Sequence, residues 1–244
     1  MKTILTAIVL ITIATLGIYS LANADTLESI EAQVNYHLSE SARHEAEANL
    51  IISEIFRHQS EFNPLWIKSE ELNKQWANHF TKIKFSVSMR VEFNRYLKEG
   101  KSHKNKSLQH RDEFQEHTEK IPNLLEINQL TKAEHHLTEA EHHYAEGYNH
   151  YYKSKRLKDE IDLIIIKAEY LNESDAINEF VRINSEFNNI KDESDYHSQE
   201  IDRLTIEALR HQIKSKQHLA EATRIAEEVM TLEDEILEKQ GIRH

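Results

Sequence analysis

Sixteen histidines and no cysteine among 244 residues make imidazole the group through which this chain could do chemistry. Thirteen of the histidines fall on seams whose members are spaced alternately three and four residues apart: His37, His44, His58, His79, His103, His110, His117, His136, His143, His150, His197, His211 and His218. Only His135, His142 and His244 lie off them. Nine of the thirteen follow a Gly, Ala or Ser by three residues, so imidazole layers alternate with layers of almost no side chain. An ordinary helical core puts Leu, Ile or Ala at such positions, because close packing is the source of its stability.

A buried polar group without a partner costs about 1–3 kcal/mol, and a whole domain is stable by only about 5–15 kcal/mol. Thirteen unpartnered rings are therefore untenable. Each needs a metal ion, a haem iron, another imidazole or water. Burial also disfavours imidazolium and keeps the ring in the neutral form that binds metal.

Two kinds of ligand suit the pattern. The first is b-type haem held by two axial imidazoles, with the small layers giving room at the ring edge. Leu38, Phe80, Leu137, Tyr144, Tyr151 and Leu219, each directly after a seam histidine, would give an apolar wall. The 14-residue spacings His136/His150 and His197/His211 resemble those of the two-haem bundle of respiratory cytochrome b subunits. The resemblance covers four residues and implies electron transfer or haem holding. The second ligand is a divalent ion, Zn, Cu or Ni, which neutral imidazoles suit and which implies storage or buffering. The seams themselves carry no Asp or Glu near the histidines, and Glu40, Glu139, Glu141 and Glu146 flank them. A third reading needs no ligand: a structural or adaptor coiled coil of the cell envelope whose histidines pair with one another and with water.

The elements that position these residues are helices. Four glycines and two prolines exclude folds built from many short strands and tight turns. Asp25 with Glu28, Asn63-Pro64, Pro122 and Asn172–Asp175 mark helix ends. They predict four helices over about 26–62, 64–120, 123–171 and 175–238, in a single domain over 25–244. Short connections make neighbours antiparallel, giving an all-α, elongated up-and-down four-helix bundle with heptad packing and histidine-rich core layers. That topology sets His150 opposite His197 and His136 opposite His211 across the third and fourth helices. Across the parallel second and fourth helices an alternative facing sets His103 beside His211 and His110 beside His218; both arrangements claim His211, so the sequence supplies ligand layers without choosing the pairs.

Residues 1–24 read as an export segment. Lys2 precedes an apolar run over 4–21, and Ala22-Asn23-Ala24 is a small-x-small cleavage site. The alternative is an uncleaved anchor, so the chain is expected in the periplasm, secreted or held at a membrane. The formal charge of −12 argues against nucleic acid, although Lys98, Lys101, Lys104, Lys106 and Arg111 make one basic stretch. A redox or metal-delivery partner in the envelope is expected, with self-association as a further possibility. No HExxH, phosphate loop or GxSxG elbow occurs. Ferritin-like di-iron chemistry would need two Glu-x-x-His motifs, and Glu139–His142 is the single instance. No enzymatic activity is expected.

Overall fold

A computed structural model describes residues 24–168, 171 and 174–239. Residues 1–23 of the export segment, residues 172–173 of the predicted last break, and His244 lie outside the described residues. Four helices occur among them: α1 (Ala24–Phe80), α2 (Val87–Glu126), α3 (Leu130–Lys167) and α4 (Ser174–Lys239). They form an up-and-down four-helix bundle in which α1 pairs closely with α4 and α2 with α3. At about 1.5 Å per residue, α1 and α4 run roughly 85–100 Å and the inner hairpin roughly 60 Å. None of the described helices is long and apolar enough to cross a membrane.

Two helix ends differ from those the prolines suggest. Pro64 lies inside α1 and Pro122 inside α2. A mid-helix proline costs about 3 kcal/mol. The seam continues beyond Pro64 through Leu65, Ser69, Leu72 and Trp76, and burying it outweighs that cost; Pro64 itself faces solvent. The chain turns instead at 81–86, where Ile83 is buried without being helical. Ser86 caps α2, its hydroxyl accepting from the Met89 N–H at 3.3 Å. The next turn falls at Ile127–Gln129, where Asn128 takes a φ of 60°, a left-handed conformation that asparagine tolerates. So the first helix is longer than predicted, and the second starts later, at Val87, and runs on past the predicted end to Glu126.

Apolar clusters join the two pairs. Phe114, Ile121 and Leu125 of α2 and Ala133, Leu137 and Ala140 of α3 pack on Ile206, Leu209 and Ile213 of α4. At the opposite end, Phe180 and Ile177 of α4 meet Ile165 of α3, Trp76 and Phe80 of α1 and Met89 of α2, so all four helices share one aromatic cluster. Polar contacts fix the α3/α4 register: Lys155–Asp192 at 3.1 Å, and the Tyr151 hydroxyl donating to Asp195 at 3.1 Å. Asn184 and Asn188 both donate to Asp162, at 3.1 and 3.0 Å.

Phe180 is fully buried where the four helices meet. Phe180→Ala should destabilise the fold by about 3–5 kcal/mol in urea unfolding followed by circular dichroism.

Candidate metal centre

The antiparallel register of α3 and α4 is close to the predicted one, yet their histidines do not face each other. The seams point into the two hairpins. Twelve of the thirteen seam histidines meet as six pairs, each Nδ1 to Nδ1. Between α1 and α4 the pairs are His37–His218 at 3.0 Å, His44–His211 at 3.0 Å and His58–His197 at 2.9 Å. Between α2 and α3 they are His103–His150 at 2.9 Å, His110–His143 at 3.3 Å and His117–His136 at 2.9 Å. Neither of the facings that the sequence left open, His150 with His197 and His136 with His211 or His103 with His211 and His110 with His218, is the one formed. The reason is packing: the large apolar faces of α2 and α3 are spent on α4, which leaves the histidine stripes to close each hairpin. His79 is half-buried in the last turn of α1, near Glu179, and has no histidine partner among the described residues. His135 and His142 lie outside the pairs, their rings against those of His136 and His143.

The small layers bring the helices together. Ser41 meets Ser215 hydroxyl to hydroxyl at 3.0 Å. Ser107 donates to the Gly147 carbonyl at 2.9 Å, and Ser154 to the Gly100 carbonyl at 3.1 Å. A Cβ on Gly147 would lie 3.4 Å from that of His110, so a residue with a side chain there would press on the pair. One heptad layer shows the aliphatic alternative. Between His44–His211 and His58–His197 the register sets Ile51 against Leu204, both buried.

Carboxylates complete three of the pairs, and these were not legible on the seams. Glu47 Oε2 lies 3.1 Å from His44 Nδ1 and 2.9 Å from His211 Nδ1. Glu113 Oε2 lies 3.2 Å from His110 Nδ1 and 3.0 Å from His143 Nδ1. Glu61 Oε2 lies 3.3 Å from His197 Nδ1 and groups with His58. Glu47, Glu61 and Glu113 each follow a seam histidine by three residues, and that His-x-x-Glu spacing is the sequence signal that would have found them. Of the flanking acids singled out beforehand, Glu40 and Glu146 also enter such groups, Glu40 with His44 and His218 and Glu146 with His110 and His150. Glu141 instead pairs with Arg210 at 2.6 Å.

Two nitrogens and one oxygen at mutual separations near 3 Å are three electron-pair donors converging on one point. A proton shared by the two nitrogens leaves the carboxylate facing a lone pair. A cation at the centre satisfies all three. For metal–ligand bonds of about 2.0–2.1 Å, tetrahedral neighbours lie roughly 3.3 Å apart, so these donors need move by only tenths of an ångström. His44, His58 and His197 are buried, while the other members are partly accessible.

The electrostatics separate the layers into two kinds. The Glu113 carboxyl is held below the usual range by a hydrogen bond from Gln109 and by facing His143 and His110. For Glu47, desolvation works the other way but is outweighed by Arg43, His44 and His211. Two of the layers without such an acid, His103–His150 and His117–His136, have lysines nearby. Desolvation lowers the pKa of His117, His136 and His150, aided by His143 and Lys120 at His117, by His117 and Lys120 at His136, and by His103, Lys106 and Lys153 at His150. Desolvation and the nearby His37 and His44 do the same for His218.

A histidine whose pKa is lowered on folding is more readily protonated in the unfolded chain. Its contribution is therefore intact above about pH 6.5 and is lost as pH falls below that value. The chelator-treated protein should show a lower urea midpoint at pH 5.5 than at pH 8; an unchanged midpoint would mean that the paired rings do not titrate with folding. No protein-family model matches this chain, and neither a curated protein nor a solved structure matches it, so the paired imidazoles stand on their own chemistry.

Proposed function

We propose that this protein binds divalent transition-metal ions, zinc foremost, at its stacked imidazole pairs and acts outside the cytoplasm as a metal store or buffer. It performs no reaction on a substrate. The observation that carries the reading is the convergence of two Nδ1 atoms and one glutamate oxygen within 2.9–3.3 Å at His44/His211/Glu47 and His110/His143/Glu113. The group His58/His197/Glu61 is the third of the kind. Each glutamate supplies the negative charge that a four-imidazole site would lack. A fourth position is left for water, through which an ion could be passed to a delivery partner.

The same geometry favours an ion over a haem. Two axial nitrogens on opposite faces of an iron would stand about 4 Å apart, with a macrocycle between them. Here the nitrogens lie closer than that, and serine hydroxyls bridge the helices in the small layers. Paired imidazoles without metal remain the competing class, favoured by the lysine-flanked layers His103–His150 and His117–His136, where no carboxylate meets either nitrogen at hydrogen-bond distance.

Zinc titration of the metal-free chain, read by calorimetry and elemental analysis, should find three tightly held ions, one for each glutamate-completed layer. Zinc at about 100 times its Kd should add about 2.7 kcal/mol of stability per site. Replacing His136, His143 and His150 together with leucine should remove the ion of the α2/α3 hairpin and spare those of α1/α4. If the rings only pair, the wild type takes up no zinc and the leucine variant is the more stable protein. Added haem should produce no sharp Soret band; a low-spin bis-histidine spectrum would replace this reading with the haem one.

A further inference from the structure

His44 and His110 each belong to two groups of donors. Within its own layer His44 sits with Glu47 and His211, and between layers with Glu40 and His218. His110 sits with Glu113 and His143 in its layer, and between layers with Glu146 and His150. In every group one nitrogen of each ring and one carboxylate oxygen lie within 4.8 Å of one another. The arrangement is the same in both hairpins, although they share no longer repeat.

The stacking of successive layers makes this double membership possible. The His44 ring stacks on His218 at 5.7 Å and 21°, and the His110 ring on His150 at 5.8 Å and 9°. The layer between each stacked pair is Ser41/Ser215 in one hairpin and Ser107/Gly147 in the other. A larger residue there would wedge the rings apart. A cavity of about 350 Å³ between the hairpins is lined by Ser107, Gly147 and His143, so the seam borders open space at this step.

Resting on the metal reading above, we propose that the interlayer groups Glu40/His44/His218 and Glu146/His110/His150 are a second set of metal sites, through which a divalent ion steps along the seam from one imidazole pair to the next. Layers seven residues apart are about 10 Å apart along the helix. An ion crossing that distance without ligands would lose most of its coordination, and stripping a charge of its partners is strongly unfavourable. A site midway halves the step. Because His44 and His110 belong to the sites on both sides, at least one imidazole holds the ion throughout. The layer sets how tightly an ion is held; the interlayer site sets how fast it moves. In the α2/α3 hairpin the step runs between a layer flanked by Lys106 and Lys153 and one completed by Glu113. The lysine charges make the His103–His150 layer the weaker site, and an ion there is driven toward the Glu113 layer.

The full-length chain loaded with zinc, mixed with an excess of a chromogenic chelator in a stopped-flow instrument, tests this against the double variant Glu40→Gln/Glu146→Gln. Glutamine keeps the shape of each side chain, and thermal melting confirms that both proteins are folded. The ions counted at loading are those of the Glu47, Glu61 and Glu113 layers, to which Glu40 and Glu146 give no ligand, and the variant should release them about tenfold more slowly. Release at the wild-type rate overturns the relay while leaving the metal reading in place. A parallel loss of affinity or of ion number makes Glu40 and Glu146 ordinary ligands and also overturns the relay. Failure of the wild type to take up zinc appears earlier, at loading, and overturns the metal reading itself.

Discussion

Everything in this molecule is arranged around imidazole pairs that meet nitrogen to nitrogen across a two-helix seam. Such a contact contributes little cohesion by itself. Two neutral rings share one proton, and any acid drawn to them meets an uncompensated lone pair. A coiled coil made only of these layers would be marginal. The hairpins hold because aliphatic and aromatic layers stand at intervals among the histidines. Ile51 against Leu204 is one such layer, and Val34 with Ala222 and Ile225 supplies another. The apolar clusters between the hairpins supply the rest. Cohesion and ligand chemistry are thus assigned to different faces of the same helices.

The small residues serve both purposes. Between the histidine layers they let the backbones approach until serine hydroxyls reach across to carbonyls. That closeness brings opposing Nδ1 atoms to contact and lets rings of successive layers stack. Leucine in those layers would strengthen the core and push the imidazoles apart. The protein gives up packing density along its seams in return for donor geometry.

Charge around the layers is graded rather than uniform. Three pairs have a glutamate at the nitrogens, whereas His103–His150 and His117–His136 have lysines nearby. The first kind favours a cation and the second disfavours it. A row of identical sites would fill and empty together. A graded row would hold ions at some layers and pass them at others, as the buffering role proposed above requires.

The sequence by itself determined the helical class, the heptad seams and which histidines lie on them, because these follow from periodicity and from the scarcity of glycine and proline. Twelve of the thirteen seam residues do pair, and His135 and His142 do stand aside, as their positions require. Tertiary structure decided the partners. Heptad spacing makes every histidine layer equivalent, so nothing local distinguishes a seam facing α4 from one facing α2. The choice rests on where the largest apolar surfaces of α2 and α3 are buried, a comparison among four helices at once. The ends of α1 and α2 depended on it too, since Pro64 and Pro122 are helix breakers that a sufficiently well-buried seam overrides. Glu47, Glu61 and Glu113 became ligand candidates for the same reason. A carboxylate one turn beyond a histidine is solvated on a lone helix and reaches the nitrogens only once the partner helix is in place.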